Sequence, residues 1–342
     1  MAAARMAEAL RRPGLDRRGD SLKKPLPGAL VPKGAAVPPA LIPSLASAAS
    51  YARAEKSEAT RKAYGADWRH FTTWSQAVQQ IALPANPAAI AAYLAHLADH
   101  GRGSSTISRR LAAIGYAHKL KGLDNPANAE TVRATLRGIR RRLGTAVTRK
   151  APATARALTA MLAQIPDSLT GKRDRALLLL GFAAALRRSE LVDLKVNDIE
   201  ISAEGALIRV RRSKTDQEGA GHTIAIPRGE LLRPVEAIEA WLSEVSDGPI
   251  FRPIAKGGRV LAQTLTDRSV ASIVKRYAAA AGLDPKIFSG HSLRAGFVTS
   301  ALEHGADLFK VMDVTRHRRV ETLKGYDRRA RAFRDHAGKD FL

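Results

Sequence analysis

Residues 173–191 read RDRALLLLGFAAALRRSEL. From Ala176 to Leu186 the run is apolar on every side and interrupted only by Gly181, which predicts a core helix over about 173–186. The run is too short to cross a bilayer, which takes about 20 apolar residues. No other stretch comes closer, so no membrane-spanning helix is expected. The helix gives way to Leu186-Arg187-Arg188-Ser189-Glu190-Leu191, where two cations and an acid meet at a helix junction.

Downstream, Ala206–Arg212 and His222–Pro227 are rich in β-branched residues and predict two short strands. Helices are expected at about 230–245, 267–281, 291–304 and 307–313. Upstream, residues 143–156 combine Gly, Thr, Arg149, Lys150 and Pro152 without a hydrophobic period, as a linker between domains does. Before that linker, residues 45–142 turn helical. Ser57 is placed to cap a helix carrying Tyr64, Trp68, Phe71 and Trp74. Pro87 suits a first helical position ahead of Ile90, Tyr93, Leu94 and Leu97. Gly101 to Gly103 ends that helix, and Ser104 or Ser105 is expected to cap the next, with Ile107, Leu111 and Ile114 inward. A fourth helix is expected over about 128–142. The fold class is therefore mainly α: a small helical bundle, then a second domain over 157–342 that is mostly helical with a small antiparallel sheet. Residues 1–44 hold seven of the 17 prolines and keep no period, so a flexible basic tail is expected there. They lack the uninterrupted apolar core and cleavage site of a signal peptide.

The 342 residues include 56 Lys and Arg against 32 Asp and Glu, a formal net charge of +24. That excess points to a polyanion, either nucleic acid or an acidic membrane surface. The tail offers no amphipathic helix with large apolar residues, which leaves nucleic acid. The chain has no cysteine, which excludes disulfides, zinc–thiolate sites, iron–sulfur clusters and a Cys nucleophile. Basic side chains gather on what should be the outward faces of two helices of the first domain. Arg109, Arg110, Lys119 and Lys121 lie on one; Arg133, Arg137, Arg140, Arg141 and Arg142 lie on the other. Acids are nearly absent from these faces, so they are expected to meet phosphates. Arg149 and Lys150 continue the set through the linker. In the second domain Arg209 and Arg211 share a strand face opposite Arg212, and Lys275 and Arg276 share a helix; these too are expected near a DNA backbone. His70, His96, His100, His118, His222, His304 and His336 show no metal-ligand spacing, so neither a metal nor a cofactor is expected.

A second set of polar side chains recurs along the second domain in a fixed order. Arg187 and Glu190 sit at the helix junction, and Lys214 sits in Arg-Ser-Lys-Thr on the turn between the strands. His291 and Arg294 lie three apart on one helix face, His317 follows, and Tyr326 comes nine residues later. Two arginines can hold the non-bridging oxygens of a phosphodiester through forked hydrogen bonds and offset charge developing at phosphorus. A tyrosine hydroxyl, with a free pKa of about 10, needs nearby cations and a base such as His291 to attack. A lysine ammonium can protonate the departing 5′ oxygen.

Taken together and in this order, the set resembles the tyrosine recombinases, the phage-integrase-type enzymes, and among them the Cre-like and Xer-like simple recombinases. The resemblance covers residues 157–342 and extends more weakly over the helical N-terminal domain, which is similar to the family's core-binding domain. It implies that Arg187 is the first catalytic arginine, in a Leu-Arg-x-x-Glu-Leu context, and that Glu190 is the acid that orients the site. It implies that Lys214 is the hairpin general acid and that His291 and Arg294 form the His-x-x-Arg box. His317 would be the later phosphate-contacting residue and Tyr326 the nucleophile. It further implies a DNA breaking–rejoining fold, a clamp around double-stranded DNA with an inverted-repeat site, and a homotetramer on two sites. Strands would be exchanged through a Holliday junction without ATP or metal, in the cytoplasm at the nucleoid. A C-terminal helix over 328–341, within Asp327 to Phe341, would pack into a neighbouring subunit through Phe333 and Phe341. Two residues depart from the family pattern: Arg188 stands where many relatives are apolar, and Arg316 precedes His317 where glycine is usual. A type IB topoisomerase-like relaxase would share the phosphotyrosine chemistry. An accessory DNA-binding protein would share the basic faces without the catalysis.

Overall fold

A computed structural model describes residues 38–146, 150–211 and 221–330, and the chain divides into two units, Met1–Val147 and Thr148–Leu342. The expected tail lies outside the described residues up to residue 37. Beyond it the expectation is corrected. A 3₁₀ turn covers Pro39–Leu41, and helix α1 runs Ile42–Ala54. Prolines that read as breakers sit instead in first turns, where their missing N–H costs nothing.

In the first unit α2 (Glu58–Ala77) starts where Ser57 Oγ accepts the Thr60 N–H at 3.3 Å. Asn86 Oδ1 accepts the Ala88 N–H at 2.8 Å and opens α3 (Pro87–Asp99). Helix α4 (Ser104–Leu120) is entered from Gly103, so neither Ser104 nor Ser105 is its cap. Ser104 Oγ instead donates to Gly144 O at 2.9 Å, fastening the end of α5 (Glu130–Leu143). The core joins Trp68, Phe71 and Trp74 to Ile90, Tyr93, Leu94 and Leu97, with Ile107, Leu111, Ile114 and Val132 closing it.

The second unit begins inside the expected linker. Ala151 N–H donates to Ile287 O and Ala153 N–H to Ser292 O, both at 2.8 Å, and α6 (Ala155–Leu162) follows at once. Residues 151–156 are therefore structural. Ala153, fully buried, is too small to give the segment a hydrophobic period. Helix α7 (Leu169–Ala183) opens four residues before the expected start, because Ser168 Oγ accepts the Gly171 N–H at 3.1 Å. Its polar start is buried as a network: Arg173 Nη2 donates to Asp174 Oδ1 at 2.7 Å, and Tyr277 Oη donates to Asp174 Oδ2 at 2.9 Å.

After the short helix α8 (Arg188–Asp193) come three antiparallel strands in the order β1-β2-β3: β1 (Ile199–Ile201), β2 (Gly205–Val210) and β3 (His222–Pro227). Strand β1, three residues long, was too short to carry a readable alternation. The pairs Ala206–Ile226 and Ile208–Ile224 put buried side chains on one face of the sheet. Helices α9 (Pro234–Leu242), α10 (Asp267–Ala280), α11 (Ser292–Glu303), α12 (Leu308–Thr315) and α13 (Val320–Ala330) complete the described unit. Both α7 and α11 are buried nearly all round and pack on each other.

That central pair fixes where α11 can lie. A Cβ at Gly296 would come 1.8 Å from Ala153 O, so the helix backbone runs directly against the segment ahead of α6. Replacing Gly296 with Ala should cost about 3 kcal/mol, seen as a lowered thermal midpoint. Gly138→Ala is the control: Gly138 is exposed within α5 with nothing near its Cβ position, and the change should stabilise by about 0.5–1 kcal/mol. Equal midpoints for the two variants would contradict the close backbone approach.

Candidate active site

Among the described residues the polar cluster is assembled from three chain segments of the second unit. The first is the junction between α7 and α8. Ala185 takes a positive φ of 46°, and Arg187 becomes the residue that caps α8. Glu190, in the first turn, reaches back: its Oε2 accepts the Arg187 N–H at 2.9 Å, and its Oε1 accepts from Arg187 Nη1 at 2.6 Å. The Glu190 side chain is 2% exposed. Arg188 turns away, with Nη2 at 3.6 Å from Asp267 Oδ2, so Arg187 is the arginine that faces the acid.

The second segment is the start of α11. His291 precedes the helix, and Arg294 follows one turn later. Arg294 is 1% exposed. Its Nη1 donates to Ala185 O at 2.7 Å, and its Nη2 donates to Thr315 O and, at 3.2 Å, to His317 Nε2. The third segment is the end of α12. Arg316 leaves the helix in the left-handed region (φ 57°, ψ 41°), and the His317 N–H returns to Met312 O at 3.2 Å. Arg316 Nη2 then donates to Glu190 Oε2 at 2.7 Å.

The hydrogen bonds define the His317 tautomer. Arg294 can only donate, so Nε2 accepts. Thr315 Oγ1 gives its own proton to Val311 O at 2.7 Å and accepts from Nδ1–H at 2.7 Å. His317 is thus held neutral. Burial, then the charges of Arg294 and Arg187, push its pKa from 6.5 down to about 4. His291 is exposed at its rim, yet partial desolvation and the guanidiniums of Arg294, Arg187 and Arg188 lower its pKa as well. Burial, followed by Arg187 and Arg316, brings Arg294 well below the usual guanidinium range to about 9, which leaves it cationic at neutral pH. The cluster is an under-neutralised positive site. Glu190 is shared between Arg187 and Arg316, and among the described residues Arg294 is bonded to no carboxylate.

Tyr326 lies on α13, which begins eight residues before the helix expected from residue 328. It packs, half-buried, against Val298, Leu302, Val311 and Leu323. Residues 327–330 continue the Tyr326 helix, while the rest of the expected C-terminal helix, with Phe333 and Phe341, lies outside the described residues. Lys214, Arg212 and Arg149 also lie outside them. Among the described residues no three His, Asp or Glu side chains converge as a metal requires.

The basic residues of the other set divide. Arg133, Arg140, Arg141, Lys121, Arg209 and Lys275 are exposed, as expected. Several partly spend their charge: Arg109 forks onto Asp67 at 2.8 and 3.0 Å, Lys119 approaches Glu55 at 3.7 Å, and Arg137 pairs with Glu130. Arg211 meets Asp198 at 2.7 Å, Lys150 Nζ donates to Lys286 O at 2.7 Å, and Arg276 pairs with buried Asp174. The outward placement of Arg110 is corrected. Its side chain is 11% exposed, with Nη1 at 3.0 Å from His70 Nε2. One step along α4 turns a side chain by about 100°, which takes Arg110 off the Arg109 face and against α2 and α3. Neither Arg316 nor Thr315 was assigned a part in the site by sequence pattern. The only signal was an arginine where a left-handed turn favours glycine.

Comparison with known proteins matches this architecture. The profile of the phage integrase family covers residues 153–332, and that of the phage integrase N-terminal SAM-like domain covers residues 50–122. The integrase/recombinase XerD homolog of Selenomonas ruminantium is 42% identical over 297 residues, 83% of this chain and 86% of its own. The tyrosine recombinase XerA of Thermococcus kodakarensis is 30% identical across 68% of this chain and 74% of its own. Among solved structures, the XerH site-specific recombinase bound to a palindromic difH substrate shares the fold with a TM-score of 0.58 at 17% identity, covering 84% of this chain and 82% of that one. A lambda integrase dimer bound to a core site gives 0.57 at 17% identity, with 86% and 94% covered. With residues 153–332, more than half of the chain, matched by the family profile and a relative this similar along most of both chains, the protein belongs to the phage integrase family.

Proposed function

We propose that this protein is a site-specific DNA recombinase that cuts and rejoins double-stranded DNA through a 3′-phosphotyrosine at Tyr326. The observation that carries this reading is the convergence of Arg187, Glu190, His291, Arg294 and His317 on one positive site that, among the described residues, lacks a full complement of carboxylates. A phosphodiester supplies the missing charge. Arg187 and Arg294 take its non-bridging oxygens. Neutral His291 accepts the phenol proton as Tyr326 Oη bonds to phosphorus. The bond from phosphorus to the 5′ oxygen breaks, and Lys214 protonates that oxygen. One ester replaces another, so attack by a 5′ hydroxyl from a second duplex reverses the step without ATP. Two rounds of exchange in a homotetramer on two inverted-repeat sites pass through a Holliday junction. The exposed arginines of α5 and the exposed Arg209 and Lys275 supply phosphate contacts.

Covalent protein–DNA adducts trapped in cells under denaturing conditions, with the attached DNA sequenced, test this reading. Wild type should give adducts clustered at an inverted repeat, and Tyr326→Phe should give none while retaining DNA affinity. Adducts lacking any site preference would favour a topoisomerase-like relaxase. Specific binding with no Tyr326-dependent adduct would favour an accessory protein.

The same protonation states govern stability. A histidine whose folded pKa is depressed contributes in full above its unfolded value and loses that contribution as pH falls toward the folded value. For His317 the window runs from 6.5 down to about 4. Wild type should lose on the order of 2 kcal/mol through this residue between pH 7 and pH 5. Chemical denaturation of wild type and His317→Asn at both pH values isolates the effect from His70, which is likewise lowered to about 4 in the other unit. Equal losses in the two proteins would contradict a neutral, half-buried His317.

A further inference from the structure

Arg316 holds a backbone conformation that glycine adopts freely and other residues rarely do. The chain nevertheless carries a long cation there and buries it. The Arg316 side chain is 8% exposed, and its Nε and Nη1 have no hydrogen-bond partner among the described residues. Buried orphan donors on a charged group are costly, so the contact that Nη2 makes must compensate. That contact is Glu190 Oε2 at 2.7 Å. The other oxygen, Oε1, holds Arg187 Nη1 at 2.6 Å. The carboxylate is therefore a bridge between two guanidiniums, with each oxygen committed. Carboxylates left to themselves take arginine through both oxygens in a parallel fork. Oε2 is shared by the Arg187 backbone N–H, at 2.9 Å, and Arg316 Nη2, and Glu190 grips the Arg187 guanidinium by one nitrogen only.

We propose that Arg316 is a positioning residue. By filling the acceptor capacity that the Arg187 backbone N–H leaves on Glu190 Oε2, it prevents the fork, so the remaining N–H groups of the Arg187 guanidinium stay available for the scissile phosphate. The inference rests on the cleavage reaction proposed above. Arg316 itself touches no substrate: the orphan donors are enclosed, and its action passes through Glu190.

Single-turnover adduct formation at saturating DNA tests this with wild type, Arg316→Gly, Arg316→Lys, Glu190→Gln and the double variant Arg316→Gly/Glu190→Gln. Thermal midpoint and DNA affinity are measured alongside. Arg316→Gly suits the backbone and should keep both within about twofold of wild type in affinity and unchanged in melting, while slowing cleavage by about tenfold or more. Arg316→Lys should recover part of the rate. In the Glu190→Gln background, Arg316→Gly should slow cleavage no further. Three results would overturn the inference: a wild-type rate for Arg316→Gly, the same fold loss in both backgrounds, or a rate loss that merely tracks lost melting temperature and affinity. A Tyr326-dependent wild-type adduct with unaffected Arg316 variants rejects the positioning role and leaves the recombinase reading intact. A wild type that forms no adduct rejects both.

Discussion

A guanidinium with no carboxylate partner among the described residues, sealed inside the second unit, is the constraint on which the rest of the site depends. Arg294 spends its donors on two backbone carbonyls and an imidazole. The carbonyls, Ala185 O and Thr315 O, lie at the C-terminal ends of α7 and α12, where a cation is favoured by the helix dipole and by unsatisfied acceptors. One side chain on α11 thereby ties three segments distant in sequence. The arrangement also explains why α7 and α11 are buried almost all round. They form the rigid floor that lets a long polar side chain be held without rattling, and the contact between Gly296 and Ala153 sets the depth of that floor.

Around this cation the electrostatics are deliberately incomplete. Glu190 is a single acid shared by Arg187 and Arg316, and His317 stays neutral because burial and Arg294 refuse it a proton. The lowered pKa of Arg294 comes first from burial and then from the neighbouring cations Arg187 and Arg316. In the proposed reaction a phosphodiester relieves that excess of positive charge, and relieves it further as charge accumulates at phosphorus. Binding and transition-state stabilisation then draw on one source, with the excess held ready before DNA arrives. The N-terminal unit repeats the theme in a weaker form. His70 lies between Tyr93 and Arg110 and is held neutral by burial, but there the cation serves packing and the exposed arginines lie elsewhere.

Much of this was legible in the sequence, for identifiable reasons. The core helices announced themselves through apolar spacing, and Ser57 and Pro87 marked two starts correctly because caps act locally. The order of Arg187, Glu190, His291, Arg294, His317 and Tyr326 was readable because each type is chemically distinctive. What failed was decided by tertiary contact. Residues 151–156 looked like linker because one alanine does their burying. Arg110 looked solvent-facing because charge alone says nothing about a half-buried His70 across the bundle. Strand β1 was too short for alternation to show. Arg316 stood out only as an odd occupant of a turn, since its partner Glu190 lies 126 residues away.

Neutralisation of phosphate charge by Arg187 is measured most directly with two DNA substrates, one carrying the natural scissile phosphodiester and one with an uncharged methylphosphonate there. If Arg187 offsets charge on a non-bridging oxygen, Arg187→Ala should lose cleavage on the phosphodiester and regain a large part of it on the methylphosphonate, with its thermal midpoint near that of wild type. An equal loss on both substrates would contradict charge neutralisation and leave Arg187 with a purely structural part.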